Sequence, residues 1–209
     1  MSVSVGGLVL AAGKSTRFGE NNKLLACWRE EPLVVHALRM LVDAGIDTRI
    51  VVTGHDAQAV RTALDEALLE RSDVHASRYD GGQAMTLAAG IDAMAASDVD
   101  AVIVCLGDMP SVPADLLVRL VAAFSQTRSA DYVVPVHAGR RGNPVLIARS
   151  QFAAVSDLSG DAGARQLMRR RGVSTRLLDI NCKSILTDVD TPAALALLKN
   201  ASEAGAIQS

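Results

Sequence analysis

The feature that most constrains the fold is an apolar run near the start of the chain, Val3–Leu10. It breaks abruptly into Ala11-Ala12-Gly13-Lys14-Ser15-Thr16-Arg17-Phe18-Gly19. An unbroken apolar run bounded by small residues reads as a β-strand buried on both faces, and such a strand needs cover above and below. A small-residue loop at its carboxyl end lets backbone N–H groups approach phosphate oxygens. Arg17 and Lys23 then neutralise the charge. Leu10, Ala11, Ala12, Gly13, Lys14, Ser15, Arg17 and Lys23 are therefore expected to grip a nucleotide triphosphate. Gly13-Lys14-Ser15 ends like a P-loop, but the first glycine of that motif belongs where Leu8 stands; Gly7 is one residue out of register and falls inside the strand.

Further apolar runs, Arg49–Thr53, Val74–Ser77, Ala101–Leu106, Tyr132–Val136 and Pro144–Ala148, read as strands. Between them Pro32–Ala44, Ala57–Leu69, Gln83–Ala95 and Pro113–Ser125 carry the 3.6-residue period of amphipathic helices. Pro32 and Pro113 suit a first helical turn, and Asp56 suits an N-cap. Continuous apolar strands alternating with helices imply an α/β fold: a doubly wound, mostly parallel sheet sandwiched by helices. From about Asp131 the pattern loosens around Gly139, Gly142, Gly160 and Gly163. Arg169-Arg170-Arg171 closes a predicted helix, and a final helix runs from Pro192 to about Ala204. The expectation is one domain over 1–209, with a nucleotide-binding half at 1–125 and an acceptor-binding half at 126–209.

Composition removes several function classes. Only 3% of residues are aromatic and the net charge is −2, which disfavours a nucleic-acid surface built from stacking platforms and a basic stripe. Cys27, Cys105 and Cys182 are odd in number and widely spaced, against a zinc or disulfide framework and for a reducing compartment. No apolar stretch reaches membrane-spanning length, and a cytoplasmic protein is expected.

Ligands of open parallel sheets bind beyond the carboxyl ends of the strands. Three loops leave such ends: Ala11–Lys23, Arg78–Thr86 and Gly107–Pro110. Asp108 is placed to hold Mg²⁺ opposite the triphosphate loop, although an aspartate before a proline also suits an ordinary turn. Asp188-Val189-Asp190-Thr191-Pro192 forms a second acidic knot whose Asp190 or Thr191 could also cap the last helix. The loop from Arg78 to Leu87, with Gly82 and Thr86, offers amides for a base edge or a phosphate. Arg140-Arg141-Gly142-Asn143-Pro144 and Gly160-Asp161-Ala162-Gly163-Ala164-Arg165 could face an anionic acceptor or be plain turns. His36, His75 and His137 read as structural, and His55 follows a strand end.

Together, Leu-Ala-Ala-Gly-x-Ser-x-Arg-Phe-Gly with Lys-Leu-Leu, Gly-Asp-Met-Pro, Gly-Asn-Pro-Val-Leu, Gly-Asp-x-Gly-Ala and Asp-x-Asp-Thr-Pro resemble the MobA/MocA-like nucleotidyltransferases. The likeness runs from Val9 to Pro192 and is greatest to the molybdenum cofactor cytidylyltransferase branch. It implies a Rossmann-like, GT-A-like fold and Mg²⁺-dependent transfer of CMP from CTP to the terminal phosphate of Mo-molybdopterin, releasing pyrophosphate. It implies Ala12, Gly13, Arg17 and Lys23 on the triphosphate and Asp108 on the metal. Asp190, with Asp188 as the alternative, would serve metal or acceptor. Asn143, Asp161 and Asp188 would lie on the acceptor side, and a client molybdenum hydroxylase is implied as partner. Guanylyl-transferring relatives tend to carry Gly-Gly in the first loop and Asn-x-Asn late, so Ala11-Ala12-Gly13 and Asp188-x-Asp190 lean toward cytidine. The base loop departs from the pattern, with Gln83-Ala84-Met85-Thr86 where Met-x-x-Ser is usual, and Asn143 stands where histidine is common.

The chemistry asks little covalent help of the protein, because the acceptor phosphate is already ionised; positioning and charge neutralisation suffice. Two rival expectations remain. One is an NAD(P)H-dependent reductase of a pyridine-derived pigment on the same scaffold, though no G-x-G-x-x-G follows the first strand. The other is a non-catalytic carrier that hands molybdopterin to an apo-hydroxylase.

Overall fold

In the computed structural model, which describes residues 3–127, 129–158 and 166–206, ten strands and six α-helices follow one another. The strands are β1 (Val5–Ala11), β2 (Cys27–Trp28), β3 (Glu31–Pro32), β4 (Arg49–Thr53), β5 (Ser72–His75), β6 (Ala101–Leu106), β7 (Tyr132–His137), β8 (Arg140–Arg141), β9 (Val145–Ala148) and β10 (Thr175–Asp179). The helices are α1 (Leu33–Asp43), α2 (Ala57–Glu66), α3 (Gln83–Ala95), α4 (Ala114–Gln126), α5 (Phe152–Ser156) and α6 (Pro192–Ala206). One sheet of eight strands runs β10-β7-β9-β6-β1-β4-β5, with β8 added to β7.

Strand β1 lies at the centre, parallel to β4 on one side and β6 on the other. Its residues alternate between two apolar layers. Val9 and Ala11 pack with Val34, Leu38 and Leu41 of α1 and Leu116, Leu117 and Leu120 of α4, while Leu8 and Leu10 pack with Leu87 and Ile91 of α3 and Val155 of α5. Both faces are covered, which is why the strand is apolar throughout rather than alternating. Gly7 lies inside β1, as expected, with the Leu41 side chain filling the space beside it.

The sheet is mostly parallel, as expected, with one antiparallel insertion: β9 runs antiparallel to both β6 and β7. Short connections explain this, because β7 returns through β8 to β9 in a few residues and a hairpin cannot reverse into parallel pairing. Strand β5 covers Ser72–His75 rather than Val74–Ser77, and β10 lacked an apolar signature because it is an edge strand whose Leu177 faces solvent. Asp56 does not cap α2 through its side chain; it is left-handed at φ 51°, and its carboxylate accepts from Asn22 instead. The segment before Arg169 forms a 3₁₀ turn at Leu167–Arg169. Among the described residues no helix is long and apolar enough to cross a membrane, and Cys27, Cys105 and Cys182 are all free thiols.

Candidate active site

Strands β1 and β6 end side by side, with Leu10 paired to Leu106, so the loops leaving them start as neighbours. The Gly107 amide donates to the Leu10 carbonyl at 3.0 Å, holding the two loops together. The loop after β1 is braced internally. Asn22 is buried; its Oδ1 accepts from the Leu24 amide at 3.0 Å and the Ser15 hydroxyl at 3.2 Å, and Ser15 Oγ in turn accepts from the Lys23 amide at 3.1 Å. Sequence reasoning missed Asn22, although an Asx residue just before Lys23-Leu24-Leu25 is an N-cap signal.

The third loop arrives through a close approach. Ala76 donates to Thr53 at 2.8 Å, and His55 donates to Ala12 at 3.3 Å. Between them Gly54 lacks a side chain because Tyr79 and Ala12 occupy its space; a Cβ there would sit 2.7 Å from the Cβ of each. Tyr79 is thereby pressed against the first loop, and Lys14 Nζ lies over its ring at 5.9 Å.

These loops enclose a cavity of about 330 Å³, within the range of small-molecule sites. Leu10, Ala12, Gly13 and Lys14 line it from the end of β1, and Tyr79, Asp80, Gly82, Gln83 and Thr86 line it from the third loop and the start of α3. Lys23, Leu24, Leu106 and Asp108 complete the lining. The three predicted loops thus meet in one place. Tyr79, Asp80 and Gln83 were not among the site residues expected from the sequence, where Gln83 stood out only as a departure from the family pattern. Ala11 points into the opposite core layer, and Ser15 braces its own loop.

The charged centre joins distant parts of the chain. Lys23 Nζ lies 2.5 Å from Asp108 Oδ2 and 2.5 Å from Asp190 Oδ1. Arg17, far more exposed, holds the other oxygen of Asp190 at 3.0 Å. Asp190 arrives because Val189 is buried between its two aspartates, in a small cluster with Trp28, Leu33 and Leu195, and its amide donates to the Asp108 carbonyl at 2.9 Å. Residues two apart in an extended chain share a side, so burying Val189 turns Asp188 and Asp190 together. Thr191 caps α6, its hydroxyl accepting from the Ala194 amide at 3.1 Å. Of the two capping candidates it is Thr191, which leaves Asp190 free for the site.

Carboxylate oxygens of Asp108, Asp188 and Asp190 all lie within 4.8 Å of one another. Asp108 Oδ1 is buried without a hydrogen-bond partner among the described residues. Burial, with Asp188 and Asp190 adding to it, pushes the Asp108 carboxyl above the usual carboxylate range against the pull of Lys23. Asp190 is held below that range, chiefly by its hydrogen bond from Lys23. For Lys23 burial favours the neutral amine, but Asp108 and Asp190 outweigh it and raise its pKa. An orphaned carboxylate oxygen beside two further carboxylates is an all-oxygen donor set suited to a hard divalent cation.

Asn143 lies off this cavity. It follows Gly142 at the end of the β7–β8 excursion and donates its amide to Ile185, three residues before Asp188. The Asn143–Pro144 peptide is cis. Asp161 lies outside the described residues. His36 accepts a structural role, its Nε2 2.6 Å from the Trp28 carbonyl oxygen, and His137 Nδ1 lies 3.1 Å from that of Ile180.

A doubly wound mixed sheet with a phosphate-type loop and a cluster of aspartates at its carboxyl edge defines a Rossmann-like, GT-A-type nucleotidyltransferase. The model of one family, described as "MobA-like NTP transferase domain", matches residues 7–176, and the chain belongs to that family. The chain is 33% identical over 193 residues to a protein named nicotine blue oxidoreductase from Paenarthrobacter nicotinovorans, covering 90% of this chain and 92% of the relative. It is 27% identical to the purine catabolism protein PucB of Bacillus subtilis, covering 93% and 96%. Among solved structures it resembles Rv0371C of Mycobacterium tuberculosis in complex with manganese, with a TM-score of 0.77, 26% identity and coverage of 95% and 99%.

Proposed function

We propose that this nucleotidyltransferase moves CMP from CTP to the terminal phosphate of Mo-molybdopterin, releasing pyrophosphate, with Mg²⁺ as the divalent cation. The observation that carries the reading is that the first loop, Lys23 and Asp108 line one cavity, with the Asp188 and Asp190 carboxylates clustered on Asp108 beside it. The amides of Ala12, Gly13 and Lys14, with Lys23 and Arg17, bind and orient the triphosphate. Gly82 and Thr86 face the base. Asp108 and Asp190 hold the metal, which when bound neutralises charge on the reacting phosphates. Asp188, Asn143 and Asp161 serve the acceptor side. No side chain need act as a strong base, because the attacking phosphate oxygen is already ionised; the protein supplies in-line placement. The nucleotide half is 1–125 and the acceptor half 126–209. The protein works in the cytoplasm and passes its product to a molybdenum hydroxylase.

Ala11-Ala12-Gly13 and Asp188-x-Asp190 support cytidine over guanine. The test is a panel of CTP, GTP, ATP and UTP with Mg²⁺ and Mo-molybdopterin, scored as pyrophosphate release. Turnover with CTP is expected, and turnover with GTP alone would reassign the base. The 33% identity to nicotine blue oxidoreductase favours a second reading, NAD(P)H-dependent reduction of a pyridine-derived pigment. Consumption of NAD(P)H with no triphosphate requirement would select it.

A further inference from the structure

The ammonium of Lys23 sits where a cation bridging Asp108 and Asp190 would sit. It touches one oxygen of each at 2.5 Å. A magnesium ion held by the same carboxylates would need oxygens at about 2.0–2.1 Å in a near-octahedral shell. Ammonium and ion cannot occupy that space together. Arg17, on the other oxygen of Asp190, leaves two cations facing three carboxylates. Lys23 also lines the cavity that Gly13 and Lys14 line.

We propose that Lys23 is a positioning residue that fixes the order of binding: it fills the carboxylate cluster as a substitute cation until a nucleoside triphosphate arrives. The inference rests on the nucleotidyl-transfer reading and adds a sequence of events to it. In the nucleotide-free protein Lys23 holds Asp108 and Asp190 and repels a divalent ion. A polyphosphate in the cavity offers the ammonium a second set of anionic oxygens within a rotation of its side chain. Moving to them, Lys23 frees Asp108 Oδ2 beside the already unpartnered Asp108 Oδ1. The metal therefore enters with the nucleotide, and the protein by itself is a poor metal binder.

The test titrates Mn²⁺ onto nucleotide-free protein and follows the electron paramagnetic resonance signal of the free ion. Lys23→Met is expected to bind Mn²⁺ at least about tenfold more tightly than wild type, because a positive charge in contact with the ligands is gone. Lys23→Arg, which keeps the charge, is expected to stay weak. Lys23→Met combined with Asp108→Asn is expected to lose the gain. Circular dichroism checks each fold, and Lys23→Gln replaces the methionine variant if that one does not fold. Wild type binding Mn²⁺ as tightly as Lys23→Met would overturn the proposal, as would a gain that survives in the double variant. A parallel titration of wild type with CTP, corrected for free Mn·CTP, separates the two failures. Where the ordering has failed, CTP-dependent retention of Mn²⁺ leaves the transferase reading standing; no retention brings down both.

Discussion

Replacing Asp108 with asparagine should cost activity and leave stability untouched or slightly improved. The contact distances decide the sign. At an effective dielectric of about 20, attraction to Lys23 Nζ at 2.5 Å is about 7 kcal/mol. Repulsion from Asp188 and Asp190, each with an oxygen within 4.8 Å, is about 3.5 kcal/mol each at that separation. Attraction and repulsion nearly cancel, and the cost of burying the carboxylate remains. That is why its pKa lies above the ordinary 3.8, with burial as the leading cause. For a carboxyl raised on folding, the native state holds the proton more tightly than the unfolded chain. Its penalty therefore grows as pH climbs from 3.8 through the raised value and is complete above it. Asparagine keeps an oxygen for Lys23, which also retains Asp190, so no buried charge is left unpaired. The melting temperature of Asp108→Asn at pH 7 is expected to equal or exceed that of wild type, at about 2–4 °C per kcal/mol for this size. Pyrophosphate release from CTP should fall by about 10²–10³, as for loss of one preorganised electrostatic contact in a transition state. Differential scanning fluorimetry and a coupled pyrophosphate assay read both quantities. A melting point lowered by more than about 5 °C with turnover intact would make Asp108 structural and refute the reasoning.

Asn22→Ala removes the acceptor of the Leu24 amide and the Ser15 hydroxyl and should lower stability by about 1–2 kcal/mol, measured by urea denaturation. The same variant should weaken CTP binding in calorimetry, because the phosphate loop loses its brace. Gly142→Ala drives a methyl group against the backbone of Ile185, which must move, and should cost about 1–3 kcal/mol in a thermal melt while loosening the segment that carries Asp188 and Asp190. Asp131 sits below the usual range: some burial opposes ionisation, but the Ser174 amide, Ser150 and Gln151 outweigh it. Its contribution is thus present above pH 3.8 and fades as pH falls through its lower native value. Asp131→Asn should lose stability relative to wild type at pH 5, and the gap should narrow toward pH 2 in parallel urea melts.

Local signals in the chain sufficed for elements whose apolar pattern reports their surroundings. Strands β4 and β6 and helix α3 run over the ranges their periodicity predicts, and β1 reads as doubly covered because both its faces are. The phosphate-type loop and Asp108 were legible for a similar reason, since small residues and a carboxylate at a strand end carry their chemistry in their types. Strand β10 was illegible because an exposed edge strand needs no apolar pattern. The antiparallel turn at β9 depends on how far a short excursion can reach, which residue types do not record. Only the folded chain decided that Thr191 rather than Asp190 caps α6, while burial of Val189 turns Asp190 toward Asp108 across a long separation in sequence. Only the fold, too, set Tyr79 against the first loop, because the close approach at Gly54 joins residues remote in the chain, whereas Asn22 braces that loop through near neighbours and was open to a local reading. Residue type announces what a side chain can do; the packing of distant segments determines which side chains do it together.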